Sequence, residues 1–229
     1  YDASSNITSV TGGTGSGATT LFYYNNLNQL RAQTVPYSTA SCPATPTFPN
    51  TSRCIGYTYD ANGQRTSVTY PSGQKIDYTF DTSQRITKIE SKRPSGALIV
   101  SREYSYTDAS GNDTSLRQWM KDQTGAQTNY TYDTSNRLTS AVTGSTTLGY
   151  AYDPAGNMTQ ATKTGSATIY YGVNDANQMC WSGTATGSNG TTACPATPTG
   201  NTSYTYDADG NQTGSGTTSM AYNTHSQNT

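Results

Sequence analysis

Large side chains in this chain alternate with small or polar ones over short stretches, and each stretch breaks at Asp, Asn or Gly. The pairs Tyr57/Tyr59, Tyr78/Phe80, Tyr104/Tyr106, Tyr130/Tyr132, Tyr150/Tyr152 and Tyr204/Tyr206 set two rings two residues apart. A period of two puts both rings on one face of a β-strand. Turn chemistry follows each pair. Asp60-Ala61-Asn62-Gly63 and Asp207-Ala208-Asp209-Gly210 offer a carboxylate that accepts from backbone N–H groups just ahead, then a residue tolerant of positive φ. Ile86-Thr87 and Leu138-Thr139 are β-favouring and start a return strand. The pattern predicts strand–turn–strand hairpins of about twenty residues. Leu116 to Met120 has some helical propensity, but its position between two hairpins predicts a strand.

The hairpins are copies of one unit. Strong copies begin at Tyr59-Asp60, Phe80-Asp81, Tyr132-Asp133, Tyr152-Asp153 (with Gly156) and Tyr206-Asp207, and weaker ones at Tyr1, Tyr24, Tyr106, Val173 and Tyr222. That makes ten copies, most of them 20 to 26 residues apart. Two longer gaps, of 35 and 33 residues, hold the cysteines. Cys42-Pro43-Ala44-Thr45-Pro46-Thr47 returns as Cys194-Pro195-Ala196-Thr197-Pro198-Thr199, each followed by Tyr-Thr-Tyr-Asp. The insertions, near 36–56 and 180–203, therefore enter at one phase of the hairpin. A lone hairpin is unstable in water, so successive copies must pair edge to edge into a continuing sheet. The expectation is a single array over 1–229, cut from a larger protein because the chain opens on Tyr1-Asp2 inside a repeat.

Composition sharpens the picture. Hydrophobic residues make up 31% and charged residues 12%, with 19 Tyr against 3 Phe and 2 Trp. Tyr is thus the main large side chain available for burial, and the fold class is all-β. Net charge is -1 and no basic run exceeds Lys92-Arg93, which excludes the phosphate-neutralising density of a nucleic-acid binder. No apolar stretch approaches membrane-spanning length. The four cysteines fall as the local pairs Cys42/Cys54 and Cys180/Cys194, without metal-ligand spacing, and read as two disulfide-closed loops in Pro/Thr/Gly-rich segments. Disulfides imply a secreted or cell-surface setting.

The recurring Tyr-Asp-x-x-Gly/Asn-x-x-Thr resembles the YD repeat of bacterial Rhs and wall-associated proteins, shared with insecticidal Tc toxin complexes and animal teneurins. The resemblance spans essentially the whole chain. It implies a curved or spiralling antiparallel sheet, part of a hollow shell that commonly encloses a C-terminal toxin domain released by autoproteolysis. The processing residues of that family lie beyond the repeats, so no self-cleavage is carried over. What transfers is structural: Tyr59, Asp60, Gly63, Phe80, Asp81, Tyr132, Asp133, Tyr152, Asp153, Gly156, Tyr206, Asp207 and Gly210 as repeat positions. The implied partners are other segments of the same parent, meaning further YD repeats and its C-terminal domain.

Catalytic readings fare badly. The only histidine, His225, occupies a turn position where other copies carry Asn, Ser, Ala or Asp, so a Ser-His-Asp or Cys-His arrangement has little to use. Glu90 and Glu103, the only glutamates, flank a turn near Pro94 to Gly96 and suit salt bridges with Lys92 or Arg102 better than a glycosidase pair. Asp207-x-Asp209-Gly210 resembles the opening of a calcium loop, but its Gly comes two positions early for an EF-hand, and turn chemistry explains it without metal. Thr11 to Gly17 lacks the Lys of a phosphate loop and reads as a hairpin tip. No cofactor is expected. The rival to a structural wall is a fibre, self-assembling or adhesive, or a glycan-binding surface, in which solvent-open Tyr rows stack on sugars.

Overall fold

The computed structural model describes residues 1–12, 19–35, 41–50, 53–190 and 193–222. They are all-β and divide into two units, Tyr1–Ala126 and Gln127–Thr229. In the first unit the strands are β1 (Ser9–Thr11), β2 (Thr19–Tyr24), β3 (Leu30–Thr34), β4 (Cys54–Tyr59), β5 (Arg65–Thr69), β6 (Lys75–Phe80), β7 (Ile86–Lys92), β8 (Leu98–Ser105) and β9 (Trp119–Asp122). Each pairs antiparallel with its successor, so the sheet runs in chain order. The second unit repeats the scheme with β10 (Gln127–Tyr132), β11 (Leu138–Thr143), β12 (Thr146–Tyr152), β13 (Met158–Lys163), β14 (Ile169–Val173), β15 (Met179–Gly183), β16 (Thr202–Tyr206), β17 (Gln212–Ser215) and β18 (Thr218–Ser219). These too pair consecutively and antiparallel. The helical alternative for Leu116 to Met120 is not adopted, although the strand begins only at Trp119.

Seven of the hairpins carry the same irregularity. Thr58 faces Ser67 but Tyr59 faces Arg65, so Thr66 is an extra residue on the return strand. Arg31, Thr87, Thr139, Thr159, Cys180 and Thr213 hold the equivalent place. This is a β-bulge, which leaves one residue unpaired and increases the local twist. The Thr is chosen for its hydroxyl. Thr66 Oγ1 lies 2.9 Å from Thr58 Oγ1, Thr139 Oγ1 3.0 Å from Thr131 Oγ1, and Thr213 Oγ1 3.1 Å from Thr205 Oγ1. Because the bulge is on the partner strand, Tyr57 and Tyr59 keep the common face that their spacing predicts.

Burial is sparse and concentrated. Ala32, Cys42 and Cys54 form a cluster in the first unit with Tyr23 packed against it, while Val173, Cys180 and Trp181 are buried in the second. Both places are where a disulfide loop lies on the sheet. Elsewhere the tyrosines of the strands are half-buried. Hiding half of a ring, about 100 Å² at about 25 cal/mol/Å², contributes roughly 2–3 kcal/mol per tyrosine. Many such rings in rows replace a conventional apolar interior.

Candidate functional site

The turn after each motif tyrosine is built by its aspartate. Asp60 Oδ1 accepts from the N–H groups of Asn62 and Gln64, both at 2.9 Å. Asp60 N–H donates to Gln64 O at 2.9 Å and Gly63 N–H to Asp60 O at 3.1 Å, which closes a five-residue loop with Gly63 at φ 82°. The same loop recurs at Asp81, Asp133, Asp153 and Asp207. Its left-handed position is held by Gln84, Asn136, Gly156 and Gly210. The second carboxylate oxygen takes the side chain four residues on: Asn157 Nδ2 at 2.9 Å from Asp153 Oδ2, Asn211 Nδ2 at 3.0 Å from Asp207 Oδ2, Arg137 Nε at 2.6 Å from Asp133 Oδ2. Those donors hold the carboxyl groups below the ordinary range. At Asp153 and Asp207 the leading cause is the asparagine amide, and at Asp81 and Asp133 the backbone N–H of the following arginine.

Two copies start their turn with Asn instead, and their partner changes to match. Asn25 Nδ2 donates to Gln29 Oε1 at 2.7 Å, and Asn174 Nδ2 to Gln178 Oε1 at 2.8 Å. An amide donor now needs an acceptor, which Gln supplies. The copy at Tyr106 departs from the expected phase: Thr107 intervenes and Asp108 makes the turn, accepting from Ser110 and Asn112 at 2.9 Å.

Tyrosine hydroxyls tie five of the copies to the one before. Tyr59 Oη donates to Leu30 O at 2.8 Å, Tyr152 Oη to Leu138 O at 2.9 Å, and Tyr206 Oη to Met179 O at 2.9 Å. Tyr24 Oη reaches Ile7 O at 3.0 Å and Tyr106 Oη reaches Ile86 O at 3.2 Å. In every case the acceptor is the sixth residue after the preceding copy's motif residue. Turn side chains add a second set of links, one copy forward. Asn6 Nδ2 donates to Asn28 Oδ1 at 3.1 Å, Gln64 Nε2 to Gln84 O at 2.9 Å, Arg137 Nη1 to Asp153 O at 2.8 Å and Asn157 Nδ2 to Asn177 Oδ1 at 2.8 Å. Arginines reinforce them by stacking: Arg85 lies 4.3 Å from the Tyr106 ring centroid and Arg137 4.8 Å from that of Tyr152.

The family model described as RHS Repeat matches residues 59–98, the span from Tyr59 to the start of β8. Residues 59–98 are thus similar to the RHS repeat. A likeness of fold to solved structures extends well beyond that span. A crystal structure of TcdB2-TccC3 without its hypervariable C-terminal region superposes with a TM-score of 0.64 at 18% identity, covering 91% of this chain and 12% of that one. TcdB2-TccC3 itself gives 0.61 at 17% over 92% and 12%, and TcdB2-TccC3-Cdc42 gives 0.62 at 17% over 90% and 12%. At such identity the likeness is one of fold, and this chain spans about 12% of the length of those proteins. No curated protein matches the sequence.

The cysteines pair as expected, Cys42–Cys54 and Cys180–Cys194, but not both partners of each lie in loops. Cys54 and Cys180 sit on β4 and β15, so each bridge staples a loop to a strand of the sheet. Each loop covers the bulge position of the hairpin before it. Arg31, in the first bulge, donates to Pro43 O at 2.8 Å and Ala44 O at 3.0 Å, and in the second the bulge residue is Cys180 itself. Small residues make room: a Cβ on Gly56 would sit 2.8 Å from Phe48 Cζ, and one on Gly172 2.1 Å from Trp181 Nε1.

Glu90 pairs with Lys92 at 3.0 Å, as expected, and also with Lys88 at 3.0 Å. Glu103 pairs with Lys88 at 3.2 Å rather than with Arg102, which donates to Gln123 Oε1 and Ser101 O instead. The two glutamates thus share one lysine. The catalytic candidate His225 lies outside the described residues, as do residues 13–18 of the Gly-rich stretch. An opening of about 490 Å³ on the tyrosine face is lined by Tyr130, Leu138, Ala141, Leu148, Tyr150 and Lys163 together with threonines. Its chemistry is apolar and hydroxylic, with no carboxylate. Among the described residues no three His, Cys, Asp or Glu gather as metal ligands, and no helix is long and apolar enough to cross a membrane.

Proposed function

We propose that this RHS-repeat array is a non-catalytic stretch of wall in a larger secreted or cell-surface bacterial protein, where it helps to enclose or display a C-terminal toxin domain. The observation that carries the reading is where the polar groups of the motif are spent. Tyrosine hydroxyls bond the preceding copy's backbone, turn side chains bond the following copy, and aspartate oxygens close their own turns. Residues repeated for catalysis would converge on a pocket, whereas these converge on the next hairpin. The likeness to TcdB2-TccC3 over nearly all of this chain supports a sheet that continues as a curved shell, with 1–229 as one array within it. The two disulfides support an oxidising, extracytoplasmic setting.

Limited proteolysis of the full-length parent tests this. A domain downstream of the repeats should resist protease until the wall is unfolded. Cleavage of that domain at the rate of the same domain expressed alone would refute enclosure. Concentration-dependent affinity in a glycan array, with no enclosed domain, would establish the adhesive alternative instead.

A further inference from the structure

The two disulfides close loops at the same phase of the repeat, yet their cysteines differ in exposure. Cys42 and Cys54 are both buried, at 5% and 0% exposure. In the second pair Cys180 is 1% exposed while Cys194 lies on the surface. A thiolate attacks a disulfide along the S–S axis and needs access to a sulfur, which the exposed Cys194 favours and the two buried cysteines of the first pair do not.

What Cys194 holds in place is a lid over Trp181. The indole is 1% exposed, and its Nε1–H donates to Ser188 O at 3.2 Å. Gly187 is wedged so tightly that a Cβ there would sit 2.7 Å from Trp181 Cζ2 and 2.6 Å from Pro198 Cγ. The other described anchors of the lid are hydrogen bonds that water can replace: Gly190 N–H to Val173 O at 2.7 Å, Val173 N–H to Asn189 Oδ1 at 3.3 Å, Asn174 Nδ2 to Cys194 Sγ at 4.0 Å, and Asn201 with Ala185 at 2.7 and 3.0 Å. At the rim of the lid is an opening of about 280 Å³ lined by Gln160, Tyr170, Tyr171, Trp181 and Asn189 with small residues between. The hairpin below is held independently, by the backbone ladders of β15 with β14 and β16.

We propose that Cys180–Cys194 is a reducible clasp, whose opening by a dithiol lifts this lid and bares Trp181 while the hairpins stay paired and Cys42–Cys54 stays shut. A thiolate of the dithiol attacks Cys194 Sγ and breaks the S–S bond. The electron pair leaves on Cys180 Sγ, which takes up a proton. Gln178 O, 3.7 Å away, is placed to accept the S–H so formed. The second thiol of the reductant then displaces Cys194 as a thiol and closes the reductant's own disulfide. The protein gains two electrons and two protons, and the dithiol is oxidised by the same amount.

The chain contains two tryptophans, so Trp119→Phe leaves Trp181 as the single reporter. That protein is treated with graded dithiothreitol, quenched with acid, alkylated and mapped by peptide mass spectrometry. Cys180 and Cys194 should be labelled at least about tenfold faster than Cys42 and Cys54. In step with that labelling, Trp181 emission should shift to the red and acrylamide quenching should rise, with the far-UV β signal unchanged. The variant Cys194→Ser should show the red-shifted emission without reductant. Labelling of Cys42 and Cys54 first or at the same rate, an unmoved Trp181 spectrum once Cys194 is free, or loss of the β signal at that step would each overturn the proposal.

Discussion

The rung from tyrosine to the preceding copy can be removed in one place and installed in another. In Tyr152→Phe the ring stays and only the 2.9 Å bond to Leu138 O is lost. A net hydrogen bond contributes about 0.5–1.5 kcal/mol, and the half-buried Leu138 carbonyl can recover water, so a loss of about 0.5–1 kcal/mol is expected. Phe80 is the natural counterpart, since its copy has no hydroxyl to offer the sixth residue of the copy before, Arg65. Beside Phe80 lies an opening of about 290 Å³ lined by Gln64, Arg65, Tyr78 and Ile86, ample for one oxygen. Phe80→Tyr should therefore stabilise the first unit by up to about 1 kcal/mol. Thermal unfolding followed by circular dichroism reads both, at about 2–4 °C per kcal/mol for a chain of this size. The expected result is a lower midpoint for Tyr152→Phe and a higher one for Phe80→Tyr. Should Phe80→Tyr lower the midpoint while Tyr152→Phe leaves it unchanged, the hydroxyls are incidental and the reasoning fails.

Four further outcomes follow from the same geometry. Asp153→Asn sets two amide donors against each other and should cost about 1 kcal/mol, while Asp153→Asn with Asn157→Gln should recover most of it, as a double-mutant cycle by urea unfolding would show. Because the turn carboxyls of Asp81, Asp133, Asp153 and Asp207 titrate below their unfolded value, their stabilisation is complete above that value and lost as pH falls through the folded one. Urea midpoints should thus drop below about pH 4, less steeply in the Asn/Gln double variant. Replacing either cysteine pair by serine releases a loop closed across 12 or 14 residues, and should cost about 3 kcal/mol per bridge in chemical denaturation. Gly172→Ala drives a methyl into the Trp181 indole and should cost about 1–3 kcal/mol with a change in tryptophan emission, whereas Gly165→Ala meets no neighbour and should leave that emission unmoved.

The elements most legible in the sequence were those governed by local chemistry. Alternating tyrosines, the Asp-to-Gly turns and the paired cysteines are each set by residues within a few positions, and the structure places them as the pattern predicts. Links between copies were not legible. Tyr59 and Leu30 are 29 residues apart, and the acceptor is a backbone carbonyl that any residue supplies. One usable signal was the recurrent threonine seven residues after the motif tyrosine, at 66, 87, 139, 159 and 213. A single hydroxyl kept at one phase points to a bulge needing a side-chain bond. The turns at Tyr70–Gln74 and Arg93–Ala97 share the five-residue geometry without Asp, with Gly73 and Gly96 as the left-handed residue and the Ser72 and Ser95 hydroxyls accepting from the N–H groups of Gln74 and Ala97. Burial of Trp181 was also hidden, since it depends on Gly172 across the ladder and on a lid arriving through Cys194.

Amide hydrogen exchange resolved by residue tests most directly whether copies of one hairpin, linked to their neighbours, hold the chain together. The account predicts one protection pattern repeated in phase. The N–H groups of Gln64, Arg85, Arg137, Asn157 and Asn211, bonded to their turn aspartates, should exchange slowly alongside the flanking strands. Unrelated patterns from copy to copy, or protection confined to the two disulfide loops, would contradict it.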